Sequence, residues 1–177
     1  MPGDAADYGA DGLPRLRRWY VLYVKPRTEK KAAAFLAGYR CFGHLPVYVR
    51  ITRVQRRKVR RELPLFPGYV FARLSAEERM KMLRTNLVVR TISVARPREM
   101  IHQLRQIAHA ARGAADLRPA PQMYKVGDLV RIKYGPMRGI TGYVKREGAK
   151  AALCLNVEIL GAAAEMSVDP SDLEPAG

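Results

Sequence analysis

Six cations stand within nine positions: Arg53, Arg56, Arg57, Lys58, Arg60 and Arg61. They lie between two strands, and as a hairpin arm they would repel one another unless solvated or paired with phosphates, so the chemistry they fit is neutralisation of a nucleic-acid backbone. No aromatic residue interrupts RVQRRKVRR (53–61), which argues against base stacking and for backbone contact. A solvated loop is the plainer alternative, and a nuclear localisation signal fits the composition alone. A second basic group, Lys133, Arg138, Lys145, Arg146 and Lys150, is followed by the acids Glu165, Asp169, Asp172 and Glu174. It admits RNA or a partner, or simply a solvated rim. Cys41 and Cys154 make no CxxC pair, and His44, His102 and His109 form no motif with carboxylates. Neither a catalytic group nor a metal site is expected, and no cofactor. Both thiols are expected to be packing residues in a reducing, cytoplasmic compartment.

The charge is unevenly divided. Residues 1–112 hold 24 Lys and Arg against 8 Asp and Glu, whereas residues 113–177 hold 8 of each. The whole net charge of +16 thus falls on the first part of the chain, which points to a polyanionic partner. No apolar run reaches the roughly 18 residues of a membrane span, so no membrane partner is expected. The opening MPGDAADYGADG lacks the basic and apolar regions of a secretion signal and reads as a disordered leader, residues 1–16.

These groups need elements to hold them. WYVLYVK (19–25) has Tyr20, Leu22 and Val24 on one face and Trp19, Val21 and Tyr23 on the other. With both faces apolar it reads as a central strand covered on both sides. Thr28 offers a helix N-cap, and Ala32, Phe35, Leu36 and Tyr39 then recur at helical spacing, with Gly38 and Gly43 bracketing the helix end. Val47, Val49 and Ile51 alternate as a second strand, and PLFPGYVFARL (64–74) reads as a third, irregular where its prolines stand. Ser75 and Glu78 make a capping box for a short helix, and LVVRTISV (87–94) is a fourth strand. Pro97 opens a helix with the apolar stripe Met100, Ile101, Leu104, Ile107, Ala108 and Ala111. Residues 17–112 are thus an α+β domain, an antiparallel sheet flanked by helices. GAADLRPAPQ (113–122) reads as a linker. In residues 123–177, glycine turns and the alternation of Leu153, Leu155, Val157 and Ile159, then Met166 and Val168, suggest a small all-β barrel. The alanines of 147–166 would also suit helix, but strict alternation and Gly161 favour strand.

WYVLYVK, PLFPGYVF and VGDLVRIKYGPMRGITGYV resemble the signatures of the NusG family of transcription elongation factors, in that family's order and at about its spacing. The third resembles a KOW motif, with its turn at Gly135-Pro136 and later glycines Gly139 and Gly142. The resemblance implies an N-terminal domain bound to the clamp helices of the RNA polymerase largest subunit through an aromatic surface. The matching positions are Tyr23, Phe66, Tyr69 and Phe71. Large rigid rings anchor interfaces or fill cores, and for Phe66 the two readings balance, whereas the hydroxyls of Tyr23 and Tyr69 need a partner or water and favour the interface. The KOW-like barrel would recruit a second partner: Rho, a small-subunit ribosomal protein, or an RNA hairpin. Two branches compete, the housekeeping factor and specialised antiterminators of the RfaH and LoaP kind, and the compact motifs and strong charge look more like the latter. Arg79, Met80 and Lys81 depart from the small polar residues that contact the polymerase gate loop in RfaH-like proteins. A KOW-containing ribosomal or structural RNA-binding protein is the alternative of another class. A monomer is expected, with two independently moving domains.

Overall fold

The computed structural model describes residues 16–120, 127–147 and 150–176, without the side chains of Val54, Arg146, Glu147 and Lys150. Apart from Leu16, the expected leader lies outside the described residues, as do residues 121–126 and the Arg146 and Lys150 side chains. The strands are β1 (Arg18–Val24), β2 (Phe42–His44), β3 (Val47–Val54), β4 (Arg57–Pro64), β5 (Tyr69–Leu74), β6 (Val88–Ser93), β7 (Arg118–Pro119), β8 (Leu129–Ile132), β9 (Thr141–Glu147), β10 (Lys150–Val157), β11 (Ala162–Val168) and β12 (Leu173–Pro175). The helices are α1 (Glu29–Gly38), α2 (Ala76–Arg84) and α3 (Pro97–Gly113). The chain divides into two compact units, one from Met1–Leu45 and Pro67–Ala95, the other from Pro46–Phe66 and Arg96–Gly177.

The first unit is a four-stranded antiparallel sheet in the order β2-β5-β1-β6. Strand β1 is central, as its doubly apolar pattern requires. One face carries Tyr20, Leu22, Val24, Val70, Ala72 and Leu74, which form the core with Ala32 and Leu36 of α1 and Met82 of α2. The Ser75–Glu78 capping box is fully formed: the Glu78 amide donates to Ser75 Oγ at 3.2 Å and the Ser75 amide to Glu78 Oε2 at 2.7 Å. Arg17 adds a two-pronged contact to the same carboxylate, at 2.6 and 3.1 Å.

Helix α1 differs from expectation. Thr28 occupies the N-cap position, but its hydroxyl donates back to the Lys25 carbonyl at 2.7 Å and caps nothing. Only Ala32 and Leu36 of the expected stripe are buried; Phe35 and Tyr39 lie outside, their rings 5.5 Å apart. The left-handed residue after the helix is Arg40, not a glycine. The glycine that matters here is Gly43, where a Cβ would sit 2.7 Å from Leu36 Cδ1.

The second unit contains the β3–β4 hairpin, α3 and a six-stranded sheet in the order β12-β8-β9-β10-β11-β7. Leu153, Leu155 and Val157 alternate on β10 as expected; Ile159 instead falls in a 3-10 turn. Helix α3 buries Met100, Leu104, Ile107 and Ala110, while Ala111 is exposed. The stretch read as a linker is partly sheet: Arg118 and Pro119 pair with Glu165 and Ala164, the Ser167 amide donates to Asp116 at 3.0 Å, and Leu117 is buried. Two residues are too few to alternate, and their partner is some 45 positions away, so no local pattern marks them. Helix α3 meets the same sheet's loops. His109 Nε2 donates to the Pro136 carbonyl at 2.8 Å, and Gln106 Nε2 donates to Thr141 Oγ1 at 3.2 Å.

Candidate functional site

Strand register places Tyr23 opposite Tyr69 and Val21 opposite Phe71, so the four share the sheet face away from the α1–α2 core. Tyr23 and Tyr69 are half-buried, with ring centroids 5.4 Å apart. Gly68 makes the pair possible. Its φ is +83°, and a Cβ there would lie 3.3 Å from the Tyr23 ring. The turn is held from below, where the Gly68 amide donates to the buried Glu29 carboxylate at 2.8 Å. Arg90 stands opposite Tyr23 on β6, its guanidinium 5.4 Å from the ring centroid. The result is a braced two-ring patch beside a cation, able to anchor an apolar partner with an acidic margin.

The other two aromatic positions differ. Phe71 is 0% exposed and Phe66 3% exposed. Both are core residues in this structure and present no contact surface. A phenyl ring has no polar atom to draw it outward, whereas each tyrosine does. Beside Phe71, His44 is buried enough to lower its pKa.

The basic run forms the arm of a hairpin, not a solvated loop. Arg57, Lys58, Arg60 and Arg61 lie on β4, and only Gln55 and Arg56 form the turn, both left-handed at φ 46° and 64°. Register sets Arg53 opposite Lys58 and Arg50 opposite Arg61. Like charges directly opposite destabilise a ladder. Among the described residues none of these cations is in an ion pair. One hairpin face gathers Arg53, Lys58 and Arg60 with the exposed Val49 and Ile51; the other gathers Arg50, Arg57 and Arg61. Arg50 falls outside the run and becomes part of it only through the pairing.

Beside the six-stranded sheet, Lys133 and Arg138 line one depression of about 240 Å³ together with Arg131, Tyr134 and Glu174. Lys145 lies on β9 opposite Ala152 and does not border it. Of the acids, Glu165 pairs with Arg118 at 2.9 Å and Asp169 accepts from the Ser171 amide at 2.9 Å. Cys41 and Cys154 are free and buried, and burial raises both pKa values, Cys41 to about 11. Among the described residues no His, Cys, Asp and Glu cluster could hold a metal, and no helix is long and apolar enough to cross a membrane.

A family model described as "Transcription termination factor nusG" matches residues 17–108, just over half of the chain. The chain belongs to the NusG family. The match falls on the first module, so family membership does not rest on the KOW-like stretch that ribosomal proteins also carry. Among solved structures, one titled "Domain interaction in Thermotoga maritima NusG" is similar at 19% identity, covering 91% of this chain and 98% of that one, with a TM-score of 0.47. No curated protein matches. As a NusG-family chain the molecule is a transcription factor. The stretch comparable to the gate-contacting residues is already engaged in this structure. Arg79 lies over the Tyr20 ring at 5.5 Å and donates to Thr91 Oγ1 at 3.3 Å, and Lys81 pairs with Glu77 at 2.8 Å. Met80, 45% exposed, and the exposed Lys81 stand outward.

Proposed function

We propose that this chain is an elongation and antitermination factor that docks on the clamp helices of the RNA polymerase largest subunit. Tyr23 and Tyr69 are the anchors, and Phe71 lies buried on the same sheet face. The observation that carries this reading is the half-exposed tyrosine pair, braced by Gly68 and Glu29. A preorganised aromatic pair loses little rotamer freedom on binding. The β3–β4 hairpin, with its opposed cations, reaches the nucleic acid of the elongation complex. The KOW-like unit recruits a further partner, a ribosomal protein, Rho or an RNA hairpin, through the side bearing Lys133 and Arg138. The protein works as a cytoplasmic monomer without a cofactor.

The specialised branch is favoured by the concentration of charge on one hairpin. The engagement of Arg79 with Tyr20 and Thr91, together with the lack of small polar residues in this stretch, favours the housekeeping factor. A transcript profile of a deletion strain separates them: a few long operons change in one case, and most transcription units in the other. The clamp contact is tested with Tyr69→Ala, which should cost about 1–3 kcal/mol of affinity for core polymerase. Leu22→Ala should instead lower the melting temperature. A folded Tyr69→Ala protein that binds polymerase like the parent would remove Tyr69 from the interface.

A further inference from the structure

We propose that the depression beside Tyr134 is a guanine-selective pocket for single-stranded RNA, which rests on the reading of the Lys133 and Arg138 side as a recruiting surface and names its ligand. Tyr134 is 65% exposed, yet its loop is firmly held. The Ile132 amide donates to Ile140 O and the Gly139 amide to Ile132 O, both at 2.9 Å, and the Lys133 amide donates to Asp172 O at 2.8 Å. His109 of α3 adds its bond to Pro136. An exposed ring on a braced loop has no packing role and is a ready stacking platform. The Lys133 ammonium stands 5.4 Å from the ring centroid, and Arg131 and Arg138 line the same hollow, so a strand stacked there meets cations suited to its phosphates.

Glu174 supplies the selectivity. It pairs in register with Arg131 and also lines the hollow. An ionised carboxylate only accepts, through two oxygens. On its Watson–Crick edge guanine presents two adjacent donors, N1–H and the N2 amino group. Cytosine and adenine each set an acceptor nitrogen beside their single amino group, and uracil flanks its one N–H with carbonyls. Guanine alone matches both oxygens. That edge is occupied in a duplex, so the ligand is a single strand, and in a transcription factor the single strand released to solvent is the transcript. The same negative charge directs the phosphates towards Lys133 and Arg138.

The test uses the full chain with Arg56, Arg57 and Lys58 changed to Gln, so that loss of hairpin binding cannot be mistaken for loss of this site. Anisotropy of labelled U4GU4 should report binding about tenfold tighter than U9, and tighter than the oligomers carrying A or C at the centre. Tyr134→Ala should weaken U4GU4 by about tenfold, and Tyr134→Phe should restore it. Glu174→Gln should bring U4GU4 and U9 to within about twofold by removing one charge-assisted acceptor. Equal binding of all bases, indifference to Tyr134→Ala, or competition by an acidic peptide alone would overturn the proposal. None of these readings depends on polymerase, so the clamp contact can fail while this pocket stands, and the reverse.

Discussion

Glu78 joins several stabilising contacts in a single carboxylate. Burial works against its charge, but the Ser75 amide and the Arg17 guanidinium outweigh burial and hold its pKa below the ordinary 4.5. A lowered folded pKa contributes stability that is complete above the unfolded value and is lost as pH falls through the folded one. The melting temperature of the parent should therefore fall more steeply below about pH 4.5 than that of Glu78→Gln, which keeps the amide contact but not the charge. At neutral pH the variant should be less stable by on the order of 1 kcal/mol. Parallel curves for the two proteins would show that Glu78 does not drive the acid transition. The capping box was legible because all its partners lie within four positions. Arg17 was not, since its partner stands 61 positions away. The aromatics were partly legible: the resemblance marked Tyr23, Phe66, Tyr69 and Phe71 together, the hydroxyls of the two tyrosines favoured them for the interface, and packing then shows Phe66 and Phe71 buried.

At the scale of elements, alternation exposed β1 and β10, because side chains of a strand report their face directly. It did not expose β4, whose cations read as a charge run, because a strand with solvent on both sides needs no apolar alternation. Nor did it expose β7, which exists only through pairing. The close approach of β9 and β10 gives a sharp test. A Cβ on Gly142 would lie 2.6 Å from the Cys154 carbonyl oxygen, a backbone atom that cannot step aside. At Gly113 a Cβ would meet Met137 Cγ at 2.7 Å, on a flexible side chain. Gly142→Ala should therefore destabilise by about 1–3 kcal/mol and Gly113→Ala by clearly less. Chemical denaturation of the two variants measures the difference, and equal midpoints would argue against the close packing of β9 on β10.

Across the whole molecule, the charge asymmetry has its densest expression in one hairpin. The like-charged pairs Arg53–Lys58 and Arg50–Arg61 weaken the free ladder and are relieved when phosphates stand beside them. Changing Arg56, Arg57 and Lys58 to Gln should weaken association with an elongation complex carrying upstream DNA, most strongly at low salt. The slope of log K against log salt should become shallower by about 2–3. An unchanged slope in a salt titration would reduce the hairpin to a solvated arm. The charge run was plain in the sequence; its arrangement as opposed cations, with Arg50 included, came from register alone.

The order of strands in the second sheet bears on how the chain is made. Strand β8 has β9 on one side, close in sequence, but its other neighbour is β12, with Ile132 paired to Leu173. At about 5–20 residues per second of synthesis, β8 waits a few seconds for that partner, with one edge of backbone amides and carbonyls open. Open edges invite pairing between nascent chains, and charged side chains deter it. Arg131 and Lys133 stand on and beside that edge. The cations placed in the RNA pocket of the finished protein thus also serve as gatekeepers against aggregation while the sheet is incomplete.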